Sequence, residues 1–210
     1  MITFITTLYN EEDEIEDLLW HVFDYVDYLS IIDDGSTDNT AAILRKWWQD
    51  YDNFKYKTIE HTGLCEIGRI KALEGVKDDS WVIMLDADER FEEGVLPKIV
   101  EWIYTNPAET HMYFTQLEFI DGKQVRVFQK VKVFKKSVAH LPEIIHGDPI
   151  FDGNPVSFNW TVLHRKTTNK QIQREIEYLV TYQKLFDEGK IDEGKLKWFQ
   201  GMHHFVFPKG

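Results

Sequence analysis

Acidic side chains follow two apolar runs of this chain at short intervals. In the stretch WVIMLDADER (81–90), five apolar residues lead directly to Asp86 and Asp88, and Asp33 and Asp34 close an earlier run. Carboxylates gathered in this way repel one another unless a cation or hydrogen-bond donors compensate. Mg²⁺ and Mn²⁺ prefer oxygen ligands and also bind phosphates. The pattern therefore predicts a divalent cation site with Asp88 among its ligands.

A third polar group follows the first apolar run, ITFITTL (2–8), and begins at Thr7. If the three runs are neighbouring parallel strands, their polar ends meet in one crevice, because ligands bind beyond the carboxyl ends of such strands. Each group also has a simpler interpretation. Asp33-Asp34-Gly35-Ser36 is typical of a surface turn, and most isolated Asp-x-Asp triplets lie in solvated loops.

The elements that must position these groups alternate regularly through residue 104. Apolar periodicity predicts strands at 2–8, 29–33, 54–60 and 81–85 and helices at 11–26, 39–50, 63–76 and 94–104. Either Ser36 or Asp38 is placed to cap the second helix. Alternation of apolar strands and helices is typical of an α/β fold with a mostly parallel sheet covered by helices.

The pattern changes in the second half of the chain. Residues 111–134 contain two strand-like runs around Asp121-Gly122, which predicts a β-hairpin. A further strand is predicted at 156–165, and a helical extension at 169–188. We therefore predict a single domain over residues 1–210, in which a β part and a helical part are appended to the α/β half.

Charge and composition exclude several classes of protein. Residues 1–100 carry 9 basic and 23 acidic side chains, whereas residues 101–210 carry 15 and 13, so the first half repels nucleic acid. Cys65 is the only cysteine, which fits a reducing compartment. The first residues lack the features of a signal peptide, and no apolar run approaches the roughly 18 residues of a membrane span. We expect a cytoplasmic protein that does not bind nucleic acid.

Three segments carry a resemblance to a known family: TLYNEEDEIEDLL, IIDDGSTDNTAAIL and WVIMLDADERF. In order and spacing they resemble the inverting family-two glycosyltransferases with the GT-A fold, which read T-x-Y-N-E, D-D-G-S-T-D, a segment with an Arg, and L-D-A-D. The resemblance is specific over residues 1–93 and much weaker beyond about 105. It implies a GT-A-type fold and transfer of a sugar from a nucleoside-diphosphate sugar, by default a UDP-sugar, to a hydroxyl acceptor such as a glycan. Residues 1–104 would bind the donor and residues 105–210 would form the acceptor side.

The resemblance also assigns residues to the donor. The matched positions are Thr7, Tyr9, Asn10, Glu11, Asp34, Arg69, Asp86 and Ala87. Among them, Tyr9 would pack against the nucleotide base, Asp34 would hold the base or ribose, and Asp86 would lie near the ribose. Arg69 matches a donor-site Arg, although the Asn that usually follows is Ile70 here. Asp88 would bind Mn²⁺ or Mg²⁺, which would stabilise the leaving diphosphate.

Inverting transfer also needs a base for the acceptor hydroxyl, and the family usually supplies it after the hairpin. One branch has a basic-aromatic strand, then His-Glu, and a His about twenty residues later. Here that layout makes Glu143 the favoured base and His164 a candidate metal ligand. Two intervening residues separate His140 from Glu143, unlike that branch, so His146 or Asp148 remain alternatives for the base.

Other functions are compatible with parts of the pattern. A nucleotidyltransferase has a related fold but needs a Gly-rich basic loop where this chain reads YNEEDE. A phospho-acceptor receiver domain also pairs acids on Mg²⁺, yet it is shorter. A nucleotide-sugar or glycan-binding module without catalysis is not excluded by any motif. For the acceptor side, a dimer, a partner domain and a peripheral membrane contact through C-terminal aromatic and Lys residues stay open.

Overall fold

A computed structural model describes residues 1–106, 108–142 and 149–202, without the side chains of residues 199–202. The strands are β1 (Ile2–Leu8), β2 (Tyr28–Asp33), β3 (Phe54–Thr58), β4 (Trp81–Met84), β5 (Glu89–Phe91), β6 (His111–Ile120), β7 (Lys123–Lys135), β8 (Ala139–His140), β9 (Ile150–Phe151) and β10 (Pro155–Lys166). The helices are α1 (Ile15–Phe23), α2 (Thr40–Asp50), α3 (Cys65–Leu73), α4 (Val95–Thr105), α5 (Thr168–Asp187) and α6 (Glu193–Met202), with a 3₁₀ turn at Lys136–Val138.

Eight of the described strands form one sheet in the order β3-β2-β1-β4-β7-β6-β10-β5. β3, β2, β1 and β4 are mutually parallel, and β6 is parallel to β10. β7 is antiparallel to both of its neighbours, and β5 is antiparallel to β10. β8 and β9 pair separately. The predicted α/β fold with a mostly parallel sheet, a hairpin and C-terminal helices is confirmed.

The central strands are apolar on both faces because helices cover both. Side chains alternate between the faces of a strand, so Phe4 and Ile31 belong to the larger core, which also contains apolar residues of α1, α2 and α4. Ile5 and Ile32 belong to a second core with Ala72 of α3. This two-sided burial explains why apolar residues, interrupted only by Thr or Ser, do not alternate with charged residues along these strands.

Helix α3 approaches β1 unusually closely at Gly68. A Cβ atom built on Gly68 would lie 2.2 Å from the Thr7 methyl group, so only glycine permits this contact. The close approach brings Arg69, the next residue of α3, to the carboxyl end of the central strands.

The hairpin belongs to the main sheet and is not appended to it, which corrects the sequence prediction. Its turn is formed by Asp121 (φ 48°) and Gly122 (φ 76°), and β7 pairs with the edge of β4. Alternation in the sequence identifies a hairpin but not the strand against which it pairs, because pairing depends on contacts distant in sequence. The unpredicted strand β5 then pairs with β10, with Glu89 opposite His164.

The C-terminal helices pack on the carboxyl side of β1. Thr167 caps α5 by accepting a hydrogen bond from the Lys170 N–H. Tyr182 and Leu196 form a small core with Leu64, which joins α5 and α6 to the segment before α3. Among the described helices, none has the length and apolar character that crossing a bilayer requires.

Helix α1 begins later than predicted, and the contacts before α2 distinguish between its two candidate caps. Helix α1 begins at Ile15 and not at Glu11, because the intervening residues form a turn in which the Glu11 carbonyl accepts from Ile15 N–H. At α2, Asp38 accepts from the Thr40 N–H, whereas the Ser36 hydroxyl accepts from a loop N–H and caps no helix. Acidic and polar residues before these helices are used in loop contacts, which periodicity does not reveal.

Candidate functional site

The carboxyl ends of β1, β2 and β4 lie side by side, because these strands are neighbours in the sheet. The polar groups that follow them share one edge of the molecule, as the sequence predicted. We distinguish two parts of this edge. The Asp34 corner consists of Thr7, Tyr9, Asp34 and His61, and the Asp88 corner consists of Asp86, Asp88, Glu89, Gln116, Lys132 and His164.

The Asp34 carboxylate is surrounded by donors from the loop before α3. One oxygen accepts from the Thr62 N–H and hydroxyl at 2.9 and 3.0 Å. The other accepts from the Gly63 N–H at 3.1 Å and lies 3.1 Å from His61 Nδ1. Burial raises the pKa of Asp34, and these donors offset the rise only in part. The carboxylate therefore fixes this loop, a role that the sequence did not predict.

Tyr9 stacks on His61, with ring centroids 3.9 Å apart. A cavity of only about 30 Å³ remains beside this pair, bordered by Thr7 and Asp34 and, from α5, by Arg174 and Tyr178. That volume suits about one water molecule. The ring of Tyr9 thus lies at the edge of the sheet with one face covered by His61, and α5 covers the space next to it.

Glu11 anchors α5 to the end of β1. Its carboxylate is 1% exposed and accepts from Lys170 Nζ at 2.5 Å and from the Arg174 guanidinium. Its own N–H donates to Thr40 Oγ1 at 2.8 Å. Burial raises the pKa of Glu11, while Arg174 and Lys170 lower it in part. Lys170 and Arg174, four residues apart on one face of α5, were not identified from the sequence.

Asn10 joins two loops at the same edge. It has a positive φ of 54°, a conformation that Asn tolerates better than most residues. Its side-chain oxygen accepts from the Thr37 N–H at 2.8 Å, and its own N–H donates to Ser36 Oγ at 2.9 Å. The described contacts of Asn10 are therefore with the loop that follows β2.

Arg69 and Asp86 form an ion pair between α3 and the end of β4, with 2.5 Å between Arg69 Nη2 and Asp86 Oδ1. Burial alone would raise the pKa of Asp86, but Arg69 and Lys132 hold it well below its usual range. The carbonyl of Ala87 accepts from Arg90 Nη1 at 2.6 Å, which ties the turn after β4 to an arginine that also contacts α1. Asp86 is thus ionised and positioned by Arg69.

Asp88 lies against His164, with 3.1 Å between Asp88 Oδ1 and His164 Nε2. Burial would raise the pKa of Asp88, but the hydrogen bond from His164 is the largest of the influences that lower it to about 2. The backbone carbonyl of Asp88 also accepts from the Arg165 N–H at 3.0 Å. The structure therefore brings together the two residues that the sequence proposed as metal ligands.

Glu89 is the centre of a buried polar cluster beneath that pair. Its carboxylate is 1% exposed and accepts from Lys132 Nζ at 2.5 and 2.6 Å. It also accepts from Gln116 Nε2 at 2.8 Å and from the Asp86 N–H at 2.9 Å. Gln116 and Lys132 come from the hairpin, and neither was singled out in the sequence, although polar residues on the apolar face of a predicted strand were a usable signal.

A cavity of about 670 Å³ opens beside the Asp88 corner. Its charged lining includes the cations Arg69, Arg126, Lys130, Lys132 and Lys166 and the acids Asp86, Glu89 and Glu118. This volume is within the range of small-molecule sites. It is therefore far larger than the cavity bordered by Tyr9 and Asp34.

The Asp88–His164 pair fits a divalent cation as two of its ligands. Adjacent ligands of an octahedral Mg²⁺ with bonds of about 2.1 Å lie roughly 3 Å apart, close to the observed 3.1 Å. In the described ranges, no group of three or more His, Cys, Asp or Glu side chains is arranged to hold a metal. The remaining ligands would come from outside these residues, and substrate phosphates and water commonly complete Mg²⁺ sites.

The predicted bases cannot be placed in this geometry. Glu143, His146 and Asp148 all lie outside the described residues. The neighbouring His140 is described, and its Nε2 lies 2.7 Å from Asp152 at an exposed position. The assignment of the base therefore stays a prediction.

Comparison with known proteins agrees with this geometry. The family model described as "Glycosyl transferase family 2" matches residues 3–175. A poly-beta-1,6-N-acetyl-D-glucosamine synthase of Staphylococcus epidermidis is 34% identical over 113 residues, which cover 50% of this chain and 26% of that relative. The matched part is thus about a quarter of the relative's length.

Solved structures of S. aureus TarS 1–349 share the fold. The complex with UDP-GlcNAc has a TM-score of 0.63 at 14% identity and is matched over 98% of this chain and 73% of TarS 1–349. The complex with UDP has a TM-score of 0.62 at 15% identity, with 99% and 72% covered. At such low identity this likeness concerns the fold, and it confirms the predicted GT-A type. Together with the match over residues 3–175, it leads to one conclusion: the chain belongs to glycosyl transferase family 2.

Proposed function

We propose that this chain transfers a sugar from a UDP-sugar to a hydroxyl acceptor, with inversion at the sugar and with the aid of Mn²⁺ or Mg²⁺. One observation carries the proposal. In a member of this family, Asp86 and Asp88 extend from the end of β4 beside Arg69 and His164, next to a cavity of about 670 Å³. Carboxylates and an imidazole suit a divalent cation, and a guanidinium suits the diphosphate that the cation would bind.

UDP-GlcNAc is the first donor to test. The names of two similar proteins support this choice, because one is a poly-N-acetylglucosamine synthase and the other was solved with UDP-GlcNAc. We propose that Tyr9, Thr7 and Asp34 bind the nucleoside. Because the cavity next to them is about 30 Å³, a base would have to displace His61 or the overlying Arg174 and Tyr178. Asn10 and Glu11 would act indirectly, because Asn10 holds the loop after β2 and Glu11 holds α5.

Each charged residue of the Asp88 corner would have a separate task. Asp88 and His164 would hold the cation, which, when bound, would neutralise charge on the departing diphosphate. Arg69, kept in place by Asp86, would place a permanent positive charge beside the same phosphates. The buried Glu89–Lys132 pair would hold the neighbouring side chains of the Asp88 corner in place.

The acceptor hydroxyl must lose a proton on the face opposite the leaving group. We propose Glu143 for this role, with His146 and Asp148 as the alternatives, because all three follow the hairpin that borders the cavity. A carboxylate base would take the proton as the new glycosidic bond forms. The acceptor is proposed to be a glycan.

The wider context of the reaction is also a proposal. We propose a cytoplasmic enzyme in which a second copy or a partner domain completes the acceptor side, since the chain matches only 26% of its curated relative. Peripheral contact with a membrane is proposed through C-terminal aromatic residues. Of these, Trp198 on α6 is 48% exposed.

A donor screen with Asp88→Ala tests the proposal. Purified chain is offered UDP-, GDP- and dTDP-sugars with and without Mn²⁺, and released nucleoside diphosphate is measured. We expect turnover only with cation, and a loss of about 10²–10³-fold in Asp88→Ala. Asp79→Ala is the matched control, because Asp79 is exposed on the turn before the same strand.

The screen can also contradict the proposal. Turnover at the wild-type rate in Asp88→Ala would remove Asp88 from the cation site. Binding of UDP-GlcNAc in calorimetry without any release of UDP, even with candidate glycan acceptors, would favour a nucleotide-sugar-binding module instead.

A further inference from the structure

The orientation of the Gln116 amide is determined by its neighbour Glu89. Both carboxylate oxygens of Glu89 accept from Lys132 Nζ, at 2.6 and 2.5 Å, and a carboxylate group has only acceptors to offer. The Gln116 atom that faces Glu89 at 2.8 Å must therefore be the NH₂ group. The opposite orientation would place two acceptor oxygens in contact. In the present one, Gln116 Oε1 is buried and accepts no hydrogen bond within the described residues.

The same NH₂ group also contacts His164. Gln116 Nε2 lies 2.9 Å from His164 Nδ1, and an NH₂ group has two protons to donate. His164 Nδ1 must then present its lone pair to Gln116. In a neutral imidazole the proton is consequently on Nε2, where it is donated to Asp88 Oδ1 at 3.1 Å. The chain of contacts from Lys132 to Asp88 thus specifies one tautomer.

We propose that Gln116 is a positioning residue that keeps the His164 proton on Nε2, facing Asp88. The side-chain amide of Gln116 must then flip, exchanging its NH₂ group and its oxygen, before His164 can bind a cation. The first half depends only on the contacts above. The second half rests on the proposed function, because it concerns the cation at Asp88.

The physical reason lies in what a metal ligand requires. A histidine binds a cation through an unprotonated nitrogen, and its other N–H usually donates to an acceptor behind it. If Nε2 of His164 gives up its proton, the proton moves to Nδ1, where it meets the NH₂ of Gln116. Turning the amide over replaces that donor with Oε1, at the cost of the hydrogen bond to Glu89. Loss of one hydrogen bond therefore opposes cation binding.

The tautomer can be measured without any metal. We would record long-range ¹H–¹⁵N spectra of the ¹⁵N-labelled protein in EDTA at about pH 8, where an ordinary histidine is neutral, and use His164→Gln for assignment. We expect a proton on Nε2 and a scalar coupling across the hydrogen bond between Gln116 Nε2 and His164 Nδ1. A proton on Nδ1, or no coupling to Gln116, would overturn the proposal.

Cation affinity provides the second measurement. Mn²⁺ binding in the presence of UDP is followed by electron paramagnetic resonance for the wild type, Gln116→Met and Gln129→Met. Gln129 is the matched control, because it lies on β7 of the same hairpin and its amide donates to Thr115 instead. We expect Gln116→Met to bind Mn²⁺ up to about tenfold more tightly, which is the contribution of one hydrogen bond, and Gln129→Met to match the wild type.

Whether Gln116→Met binds Mn²⁺ more tightly or more weakly distinguishes the proposed positioning role from a merely structural one. A merely structural Gln116 would make Mn²⁺ binding weaker when replaced, and that result would overturn the proposal. In a His164→Ala background the effect of Gln116→Met should vanish. If the wild type binds no Mn²⁺, the cation assignment of the proposed function fails, together with the second half of this inference, whereas the NMR result still decides the first half.

Discussion

The two corners of the site use the same residue type in opposite ways. At the Asp34 corner, burial raises the pKa of Asp34, and the neighbouring Glu11 behaves likewise. At the Asp88 corner, Arg69, Lys132 and His164 lower the pKa values of Asp86 and Asp88. The cavity that Tyr9 and Asp34 border has a volume of about 30 Å³, whereas the cavity beside the Asp88 corner has about 670 Å³.

This difference shows that the surroundings of each carboxylate determine its role. Asp34 is held mainly by the neutral donors of Thr62 and Gly63, and these contacts shape a loop. Arg69 and Lys132 keep Asp86 ionised at the wall of the larger cavity, and the hydrogen bond from His164 keeps the neighbouring Asp88 ionised. Ionised carboxylates are the state that can receive a cation or a phosphate-bound metal. Acids that look equivalent in the sequence thus differ in their pKa values because the balance between burial and neighbouring charges differs.

The largest expected effect comes from removing the positive charge of Lys132 in the Asp88 corner. Lys132→Met should leave Glu89 buried without its partner and lower the free energy of unfolding by roughly 3–5 kcal/mol. Chemical denaturation measures this change. Lys123→Met, on the exposed end of the same strand β7, should change stability by less than about 0.5 kcal/mol. Equal losses in both variants would mean that Glu89 does not depend on Lys132.

Replacing the proposed base should lower the rate of sugar transfer without changing donor binding at the Asp88 corner. Glu143→Gln should lower turnover by about 10²-fold and leave UDP affinity unchanged, because donor binding is assigned to other residues. Single-turnover kinetics and calorimetry with UDP and Mn²⁺ measure the two quantities. Lost UDP affinity with intact chemistry would instead place Glu143 among the donor contacts and extend the Asp88 corner toward it.

The pH dependence of stability should have opposite slopes at the two corners. The folded pKa of Asp88 is lowered from 3.8 to about 2, so its contribution is present above about pH 3.8 and is lost as the pH falls through 2. This amounts to about 2 kcal/mol. The folded pKa of Asp34 is raised, so its contribution is complete below about pH 3.8 and is lost as the pH rises through the folded value.

Unfolding in EDTA at several pH values tests these slopes. The stability of the wild type relative to Asp88→Asn should increase with pH in the acid range, and relative to Asp34→Asn it should decrease. Parallel slopes for the two variants would contradict the contrast between the corners.

The smallest expected effect concerns the stacked pair at the Asp34 corner. His61→Ala should cost about 0.5–1.5 kcal/mol of stability, because one aromatic stack is lost. UDP affinity should not fall, since the face of Tyr9 becomes free for a base. Calorimetry with UDP measures it, and a clear loss of affinity would show that His61 itself contacts the nucleotide.

Much of the first half was predictable because its signals are local. β4 is a continuous apolar run, β1 and β2 interrupt theirs only with Thr or Ser, and the polar residues at the strand ends follow directly in sequence. Once these strands are parallel neighbours, Asp34 and Asp86 must share an edge. The base, by contrast, was predicted from a resemblance that fades in the second half, and Glu143 stays a prediction.

The sequence by itself determined the α/β class, the order of the elements and the acids at the strand ends, since all of these depend on local periodicity and neighbouring residues. Only the tertiary structure decided which charge faces which acid. Lys132 and Gln116 reach Glu89 because the hairpin pairs with β4, and Lys170 and Arg174 reach Glu11 because α5 crosses the end of β1. These contacts join residues up to 163 positions apart, and no local pattern encodes them.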